Sequence, residues 1–185
     1  MGAKMEEKTL IENGNVIDGT GSNIKKESIL IEKSNILAIG KEADELGSGN
    51  DVRRVDASGK TVMPGLIDSH CHITFDEPSS NDELFFHRRE GLAAIVAAWN
   101  VRKVLLAGVT GFLDADSLFE TGIDLRDAIN CGYVEGPRMS TGGNALLTSV
   151  GGTAGRLIPD DGLRGYAKVV HNNDEISKEV RKQIK

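Results

Sequence analysis

From residue 61 onward, strand-like and helix-like segments alternate along the chain. A short apolar strand is followed by a helical pattern over about 83–106, and a second apolar strand covers 109–114. A short helix and a third strand are predicted next, over 125–129 and 138–141. Strands that alternate with helices are typical of a parallel sheet whose faces the helices cover. The sequence therefore predicts an α/β fold for this part of the chain.

The first sixty residues are predicted to form short strands. Thr9–Glu12 runs into Asn13-Gly14, a dipeptide typical of hairpin turns, so a return strand is expected over 15–18. Further strands are predicted over 28–32, 35–39 and 52–55. This β unit has too few apolar side chains for a large core of its own.

Composition excludes several classes of protein. The 185 residues carry a net charge of −6 without a Lys/Arg cluster, which argues against nucleic acid as the partner. No apolar run approaches the roughly 18 residues of a membrane span, and the first residues lack the apolar core of a secretory signal. The two cysteines, Cys71 and Cys131, form no disulfide framework or Cys-x-x-Cys pattern, so a cytoplasmic location is expected. An enzyme and a binding module both remain open.

The most informative motif is His70-Cys71-His72, at the end of the first strand of the alternating region. Residues i and i+2 of a strand point to the same side, so both imidazoles can reach one metal ion. Asp68 falls on the same face and could accept an imidazole N–H, whereas Cys71 is expected to be a packed thiol. Two histidines alone do not make a site, and an accidental pair is the alternative. Their place at a strand end, where parallel barrels have active sites, favours a metal site.

The residues around this pair resemble the metal-binding signature of the amidohydrolase superfamily. The signature-like stretch is Val62–His72. Earlier segments, over 10–19, 29–40 and 55–60, are similar to the small β-sandwich domain of that family. Later segments are similar to the branch that holds imidazolonepropionase-like and Xaa-Pro dipeptidase-like enzymes: Ala107–Thr110, Leu125–Ile129 and Gly136–Arg138.

The resemblance implies the N-terminal part of a (β/α)8 TIM barrel preceded by a small β-sandwich domain. Residues 1–62 would be the N-terminal part of the sandwich, and residues 63–185 the first strands and helices of an incomplete barrel. His70 and His72 would bind a divalent metal, expected to be zinc, as one or two ions, and Asp68 would orient them. The other ligands and the general acid/base are expected beyond residue 185, so the chain would be a fragment.

The implied activity is hydrolysis of a C–N bond in an amide, cyclic amide or peptide-like substrate by metal-activated water. The expected partner is a small-molecule substrate, with no nucleic acid and no membrane, and the full-length enzyme is expected to be a homo-oligomer. The fragment alone is expected to be inactive. A non-catalytic scaffold or assembly module of the same fold is the alternative, although retention of both histidines argues against it.

Two departures from the family pattern affect the expected substrate. Relatives often have Thr-Val-Arg-Asp where this chain has Gly111–Asp114, and Gly-Gly-His where it has Val150–Gly155. The usual substrate contacts of the dipeptidase-like branch are therefore not carried over. Asp114 and Asp116, at the end of the second strand, could line the pocket or cap the next segment, and both interpretations stay open.

The remaining candidates have simpler interpretations. The loop residues Phe75, Asp76 and Glu77 could touch substrate, but a solvated loop is the simpler reading. His87 and His171 are expected to be a solvated helix residue and a neighbour of a helix cap. The glycines of 151–155 lack the Gly-Lys-Ser/Thr of a phosphate-binding loop. Asn172 and Glu175 have the spacing of a capping box before a last helix.

Overall fold

The computed structural model describes residues 8–147 and 165–184. The chain divides into two compact units, Met1–Pro64 and Gly65–Lys185. Within the described ranges, none of the helices combines the length and apolar character that a membrane span requires. The glycines of 151–155 and the stretch Val150–Gly155, discussed above, lie outside the described residues.

The first unit is built around one mixed sheet. Its elements are β1 (Lys8–Val16), β2 (Lys25–Glu32), β3 (Asn35–Ile39), α1 (Lys41–Leu46), β4 (Val52–Asp56) and β5 (Thr61–Val62). The strand order is β3-β2-β1-β4, and β5 also pairs with β1. β1 is antiparallel to β2 and parallel to β4 and β5. A small core forms on one side of this sheet, from Leu10, Leu30, Ala38 and Ala43.

The hairpin predicted at Asn13-Gly14 is wrong. β1 continues through these residues as a single strand, and its register with β2 shifts between Ile11 and Gly14. Asn13 does adopt a left-handed backbone with φ of 65°. The sheet accommodates it as a β-bulge, because both halves of β1 find pairing partners on either side. β2 and β3 pair antiparallel around a turn in which Lys33 has a φ of 55°.

The second unit contains the alternating elements. They are β6 (Leu66–Cys71), a π turn (Glu83–His87), α2 (Glu90–Leu106), β7 (Val109–Asp114), α3 (Thr121–Asn130), β8 (Arg138–Thr141), β9 (Ala145–Leu147), β10 (Ala167–Val169) and α4 (Asn173–Gln183). β6, β7 and β8 are neighbours in that order, and both pairings are parallel. The prediction of a mixed α/β fold is confirmed. The short parallel pair of β9 and β10 was not predicted.

The helix predicted over 83–106 is interrupted. The π turn ends at His87, and Arg88 then has an extended backbone with ψ of 112°. The Arg88 side chain turns inward, where it donates to both oxygens of Glu83 and to the carbonyls of Thr74 and Phe75. This ion pair, in which Arg88 is buried and Glu83 is partly exposed, fixes the π turn against the preceding loop and separates it from α2.

The core of the second unit lies between α2, α3 and one face of the β6–β8 sheet. Its buried members are Ile73, Ala97, Val101, Phe112, Leu125 and Met139. The opposite face of the sheet is open, with Ile67 70% and Leu113 41% exposed. The predicted capping box of α4 is confirmed, since Asn172 Oδ1 accepts the Glu175 N–H at 2.9 Å.

Candidate metal centre

Strands β6, β7 and β8 are parallel, so their carboxyl ends meet at one edge of the sheet. Cys71 pairs with Asp114, and Asp114 pairs with Thr141, at that edge. The Ala115 N–H donates to the Cys71 carbonyl at 2.8 Å, and the Gly142 N–H donates to the Asp114 carbonyl at 2.9 Å. The side chains just beyond the strand ends therefore collect at this edge, where folds of parallel strands and helices have their ligand sites.

The two histidines of the signature lie at this edge with their ring nitrogens close together. His70 Nε2 and His72 Nε2 are 3.2 Å apart, and the two rings are nearly perpendicular at 81°. Two imidazole ligands of one tetrahedral zinc ion, each at 2.0–2.1 Å, have nitrogens about 3.3–3.4 Å apart. The separation of the two Nε2 atoms therefore fits a shared divalent ion.

A carboxylate contacts the other nitrogen of His72. His72 Nδ1 and Asp116 Oδ1 are 2.9 Å apart. The second Asp116 oxygen, Oδ2, accepts the hydroxyl of Tyr166 at 3.2 Å. Burial, followed by the charge of Asp116, raises the pKa of Tyr166 to about 12, which keeps this hydroxyl a donor. The ring of Phe75 stacks on His72 with a centroid distance of 4.9 Å and an interplanar angle of 5°.

Asp114 fixes the backbone that carries His72. Its side chain is buried, with Oδ1 accepting the Ile73 N–H and Oδ2 accepting the Thr141 hydroxyl, each at 3.0 Å. Burial raises the pKa of Asp114 to about 6. The side-chain hydrogen bonds of Asp114 go to Ile73 and Thr141 rather than to the segment after β7, so the capping interpretation does not describe it. Asp114 ties the strand ends together, whereas Asp116 reaches the histidine pair.

The loop after β6 is held by further buried polar contacts. The Thr74 hydroxyl accepts the Leu118 N–H, and Asn100 Nδ2 donates to the Ile73 carbonyl, each at 3.0 Å. The segment that carries Tyr166 is joined by similar bonds to the loops that follow β7 and β8, since Phe119 N–H and Asn144 Nδ2 both donate to the Gly165 carbonyl. The aromatic and carboxylate neighbours of His72 therefore stand on a fixed backbone.

The other residues singled out in the sequence are placed as follows. The Asp68 carboxylate accepts the backbone N–H of His70 at 3.0 Å, so its role toward an imidazole stays a prediction. Cys71 packs against the core as predicted, and burial raises the pKa of its thiol. Asp76 pairs with Lys103 at 3.0 Å. Glu77, His87 and His171 are exposed.

Among the residues that the structure describes, no three His, Cys, Asp or Glu side chains form a group able to hold a metal ion. The candidate centre thus consists of the two imidazoles. Sequence reasoning missed Tyr166, because nothing in its local sequence links it to a site some 90 residues earlier. Asp116 had a usable signal, since Asp114 and Asp116 repeat at the end of β7 the i, i+2 spacing that His70 and His72 have at the end of β6.

Comparison with known proteins shows which proteins the chain resembles. No family model matches the chain. The ochratoxinase of Aspergillus niger is 28% identical over 202 residues, covering 96% of this chain and 40% of the relative. The dihydroorotase of Caldicellulosiruptor saccharolyticus is 39% identical over 64 residues, covering 35% of this chain and 14% of the relative. The crystal structure of A. niger ochratoxinase superposes with a TM-score of 0.74 at 26% identity, covering 98% of this chain and 44% of that one.

The relatives and solved structures that the chain resembles are members of the amidohydrolase superfamily. Another similar amidohydrolase structure is that of a Xaa-Pro dipeptidase with bound methionine, with a TM-score of 0.71 and 26% identity over 96% of this chain and 44% of that one. The predicted resemblance to the superfamily and to its Xaa-Pro dipeptidase-like branch is confirmed. The chain spans about 40% of the length of the ochratoxinase it matches.

Proposed function

We propose that this chain is part of a metal-dependent hydrolase that cleaves a C–N bond in an amide, cyclic amide or peptide-like substrate. The hydrolases among its relatives support the class of bond. The observation that carries the metal part is the 3.2 Å separation of His70 Nε2 and His72 Nε2 at the carboxyl edge of the sheet. Two Nε2 atoms at this distance suit a divalent ion.

The proposed architecture follows the superfamily. Residues 1–62 are the N-terminal part of a small β-sandwich domain, and residues 63–185 are the first strands and helices of a (β/α)8 barrel. The parallel order β6-β7-β8, with α2 and α3 on one face, supports this proposal. In such barrels the active site lies at the carboxyl ends of the strands, the edge at which both histidines stand.

In the proposed site, His70 and His72 hold the ion through their Nε2 atoms, and zinc, as one or two ions, suits imidazole ligands. An ion held there supplies activation of water and polarisation of the substrate carbonyl. The chain's own residues do the positioning. Asp114 and Asn100 fix the backbone on either side of Ile73, and Asp68 supports the strand end at the His70 N–H.

The proposed partner is a small-molecule substrate, and the complete enzyme is proposed to be a cytoplasmic homo-oligomer. The net charge of −6 supports a partner other than nucleic acid. The two free cysteines, Cys71 and Cys131, support a reducing compartment.

Zinc titration by calorimetry, on the wild-type chain and on His70→Ala and His72→Ala, tests the metal assignment. Each substitution should reduce zinc affinity at least about tenfold, because it removes one of two ligands. His87→Ala is the matched control and should bind as the wild type does, since His87 is exposed and lies outside the centre. Unchanged affinity in both ligand variants would reject the site.

A substrate panel tests the bond class. The native protein, isolated with zinc, should hydrolyse at least one of a set of Xaa-Pro dipeptides, N-acyl amino acids and cyclic amides, and should act poorly on phosphotriesters. Turnover confined to esters or phosphoesters would contradict the C–N assignment. Zinc binding without any hydrolysis would favour the non-catalytic alternative.

A further inference from the structure

We infer that Asp116 is a positioning residue that holds His72 as the Nδ1–H tautomer and so presents the Nε2 lone pair of His72 to a metal ion. The metal part of this inference rests on the proposed function. The tautomer part concerns the chain without metal and can be tested by itself.

The tautomer follows from the chemistry of the contact. An ionised carboxylate only accepts hydrogen bonds, so His72 Nδ1 must donate across the 2.9 Å to Asp116 Oδ1. A neutral imidazole carries one N–H, so His72 Nε2 is then an acceptor. The 3.2 Å contact between the two Nε2 atoms accordingly has His70 Nε2 as its donor. Both contacts are satisfied by one assignment of protons.

Asp116 is itself held in place. The Tyr166 hydroxyl donates to its second oxygen at 3.2 Å, and its side chain is only 16% exposed. Asp116 therefore approaches one edge of the His72 ring, while Phe75 covers a face of that ring. The Asp114 bond to the Ile73 N–H fixes the backbone beside it. The ring of His72 has little freedom left.

A capping role does not account for Asp116. Within the described residues, its carboxylate accepts from the side chains of His72 and Tyr166 and from no backbone N–H. Removing it would therefore leave the backbone hydrogen bonds of the β7 end intact. The contacts of Asp116 serve the histidine.

The two histidines differ in which ring nitrogen carries the proton before an ion binds. His72 already has an unprotonated Nε2, whereas His70 carries its proton on the Nε2 that faces the ion position. No hydrogen bond reaches His70 Nδ1 from the residues that the structure describes. When an ion binds, His70 must move this proton to its own Nδ1, so the ring stays neutral and no proton is released. His72 keeps its tautomer.

Nitrogen-15 NMR of the histidine side chains in the metal-free chain, at about pH 8 where ordinary histidines are neutral, reads both tautomers directly. We expect His72 as Nδ1–H and His70 as Nε2–H. On adding zinc, the His70 signals should change to the Nδ1–H pattern and those of His72 should keep it. A wild-type His72 found as Nε2–H, or protonated on both nitrogens, would overturn the inference.

Variants of Asp116 test whether this residue sets the tautomer of His72. In Asp116→Ala, His72 should populate both tautomers, and zinc affinity should fall by about 10- to 100-fold, as is usual when the hydrogen-bond partner of a metal-bound histidine is lost. Asp116→Asn keeps an acceptor and should recover part of both effects. Asp124→Ala is the matched control, because Asp124 is exposed in the first turn of α3, and it should leave both readouts unchanged.

The outcomes separate this inference from the proposed function. If the chain binds no zinc but His72 depends on Asp116 for its tautomer, the positioning stands and the metal assignment fails. If wild type and Asp116→Ala bind zinc equally with the same tautomers, the metal assignment stands and the positioning is overturned. Should Asp116→Ala not fold, Tyr166→Phe replaces it. Loss of that hydroxyl should weaken zinc binding a few-fold, and an unchanged affinity would count against the inference.

Discussion

The carboxyl edge of the β6–β8 sheet and the open face of the same sheet are held by different kinds of contact. At the edge, buried polar side chains such as Asp114, Thr74 and Asn100 bond to backbone atoms of neighbouring segments. On the open face, Ile67 and Leu113 are exposed. The positions of the two histidines are therefore set by contacts within the described residues, whereas the open face contributes little to the stability of this unit.

Asp114→Ala should give the largest loss of stability at this edge. It leaves the Ile73 N–H and the Thr141 hydroxyl without their acceptor. An unsatisfied buried polar group costs about 1–3 kcal/mol. After allowing for the relief of a buried carboxylate, the free energy of unfolding should fall on the order of 2–4 kcal/mol. Urea denaturation followed by circular dichroism measures it.

The contrast requires a control on the open face. Ile67→Thr replaces a 70% exposed side chain with another strand former, so the free energy of unfolding should change by no more than about 0.5 kcal/mol. A loss as large as that of Asp114→Ala would show that side chains on the open face do stabilise this unit. That result would contradict the comparison between the two regions.

The free energy of unfolding should depend on pH through the protonation of Asp114. Burial raises its pKa to about 6, so between about pH 4 and pH 6 the folded chain keeps a proton that the unfolded chain has released. The contribution of the protonated Asp114 side chain to the free energy of unfolding is fully present below about pH 4, and it is lost as the pH rises through about 6. Relative to Asp114→Asn, the wild type should lose about 3 kcal/mol across this range.

Denaturant midpoints of both proteins at several pH values give this difference, in which the other titrating groups cancel. A difference that stays flat from pH 4 to pH 7, or that grows in favour of the wild type as the pH rises, would show that Asp114 is not desolvated as described.

Gly122→Ala should have a smaller effect on the same edge. A Cβ at this position would lie 2.5 Å from Ser117 Oγ, 2.6 Å from Asp114 Oδ2 and 2.7 Å from Thr141 Oγ1. The start of α3 would have to move from the strand ends, at a cost of about 1–3 kcal/mol in thermal or urea unfolding. Gly91→Ala, in the first turn of α2, meets nothing within 4 Å and should be neutral or slightly stabilising. Equal effects of the two alanines would contradict the close packing at the edge.

Much of the second unit could be predicted because its signals are local. The apolar run over 109–114 predicted β7, the segment over 138–141 was a strand candidate that forms β8, and Asn172 and Glu175 predicted the start of α4. The interruption at Arg88 was missed because it depends on an inward ion pair with Glu83, which the helical pattern around it does not reveal.

The residues of the candidate site also differ in whether a local sequence signal reveals them. His70 and His72 could be found because their spacing along one strand is itself the signal. Tyr166 could not, because its contact with Asp116 arises only after the chain has folded back. The false hairpin at Asn13-Gly14 has a related cause, since the dipeptide favours a positive φ that can be used either in a turn or in a bulge.

The bulge in β1 also constrains the length of the chain. Before the bulge, Leu10 packs into the small core, while Ile11 lines an apolar depression on the other side of the sheet. Beyond the bulge, Val16 lines that same depression. An even-numbered residue therefore faces the core side before the bulge and the depression side after it. Between the pairs Ile11–Ile29 and Gly14–Glu27, β1 advances by three residues and β2 by two. Loss of a single residue here would reverse the facing of every side chain up to Val16. The facing of the side chains in this segment therefore depends on its number of residues as well as on their kinds.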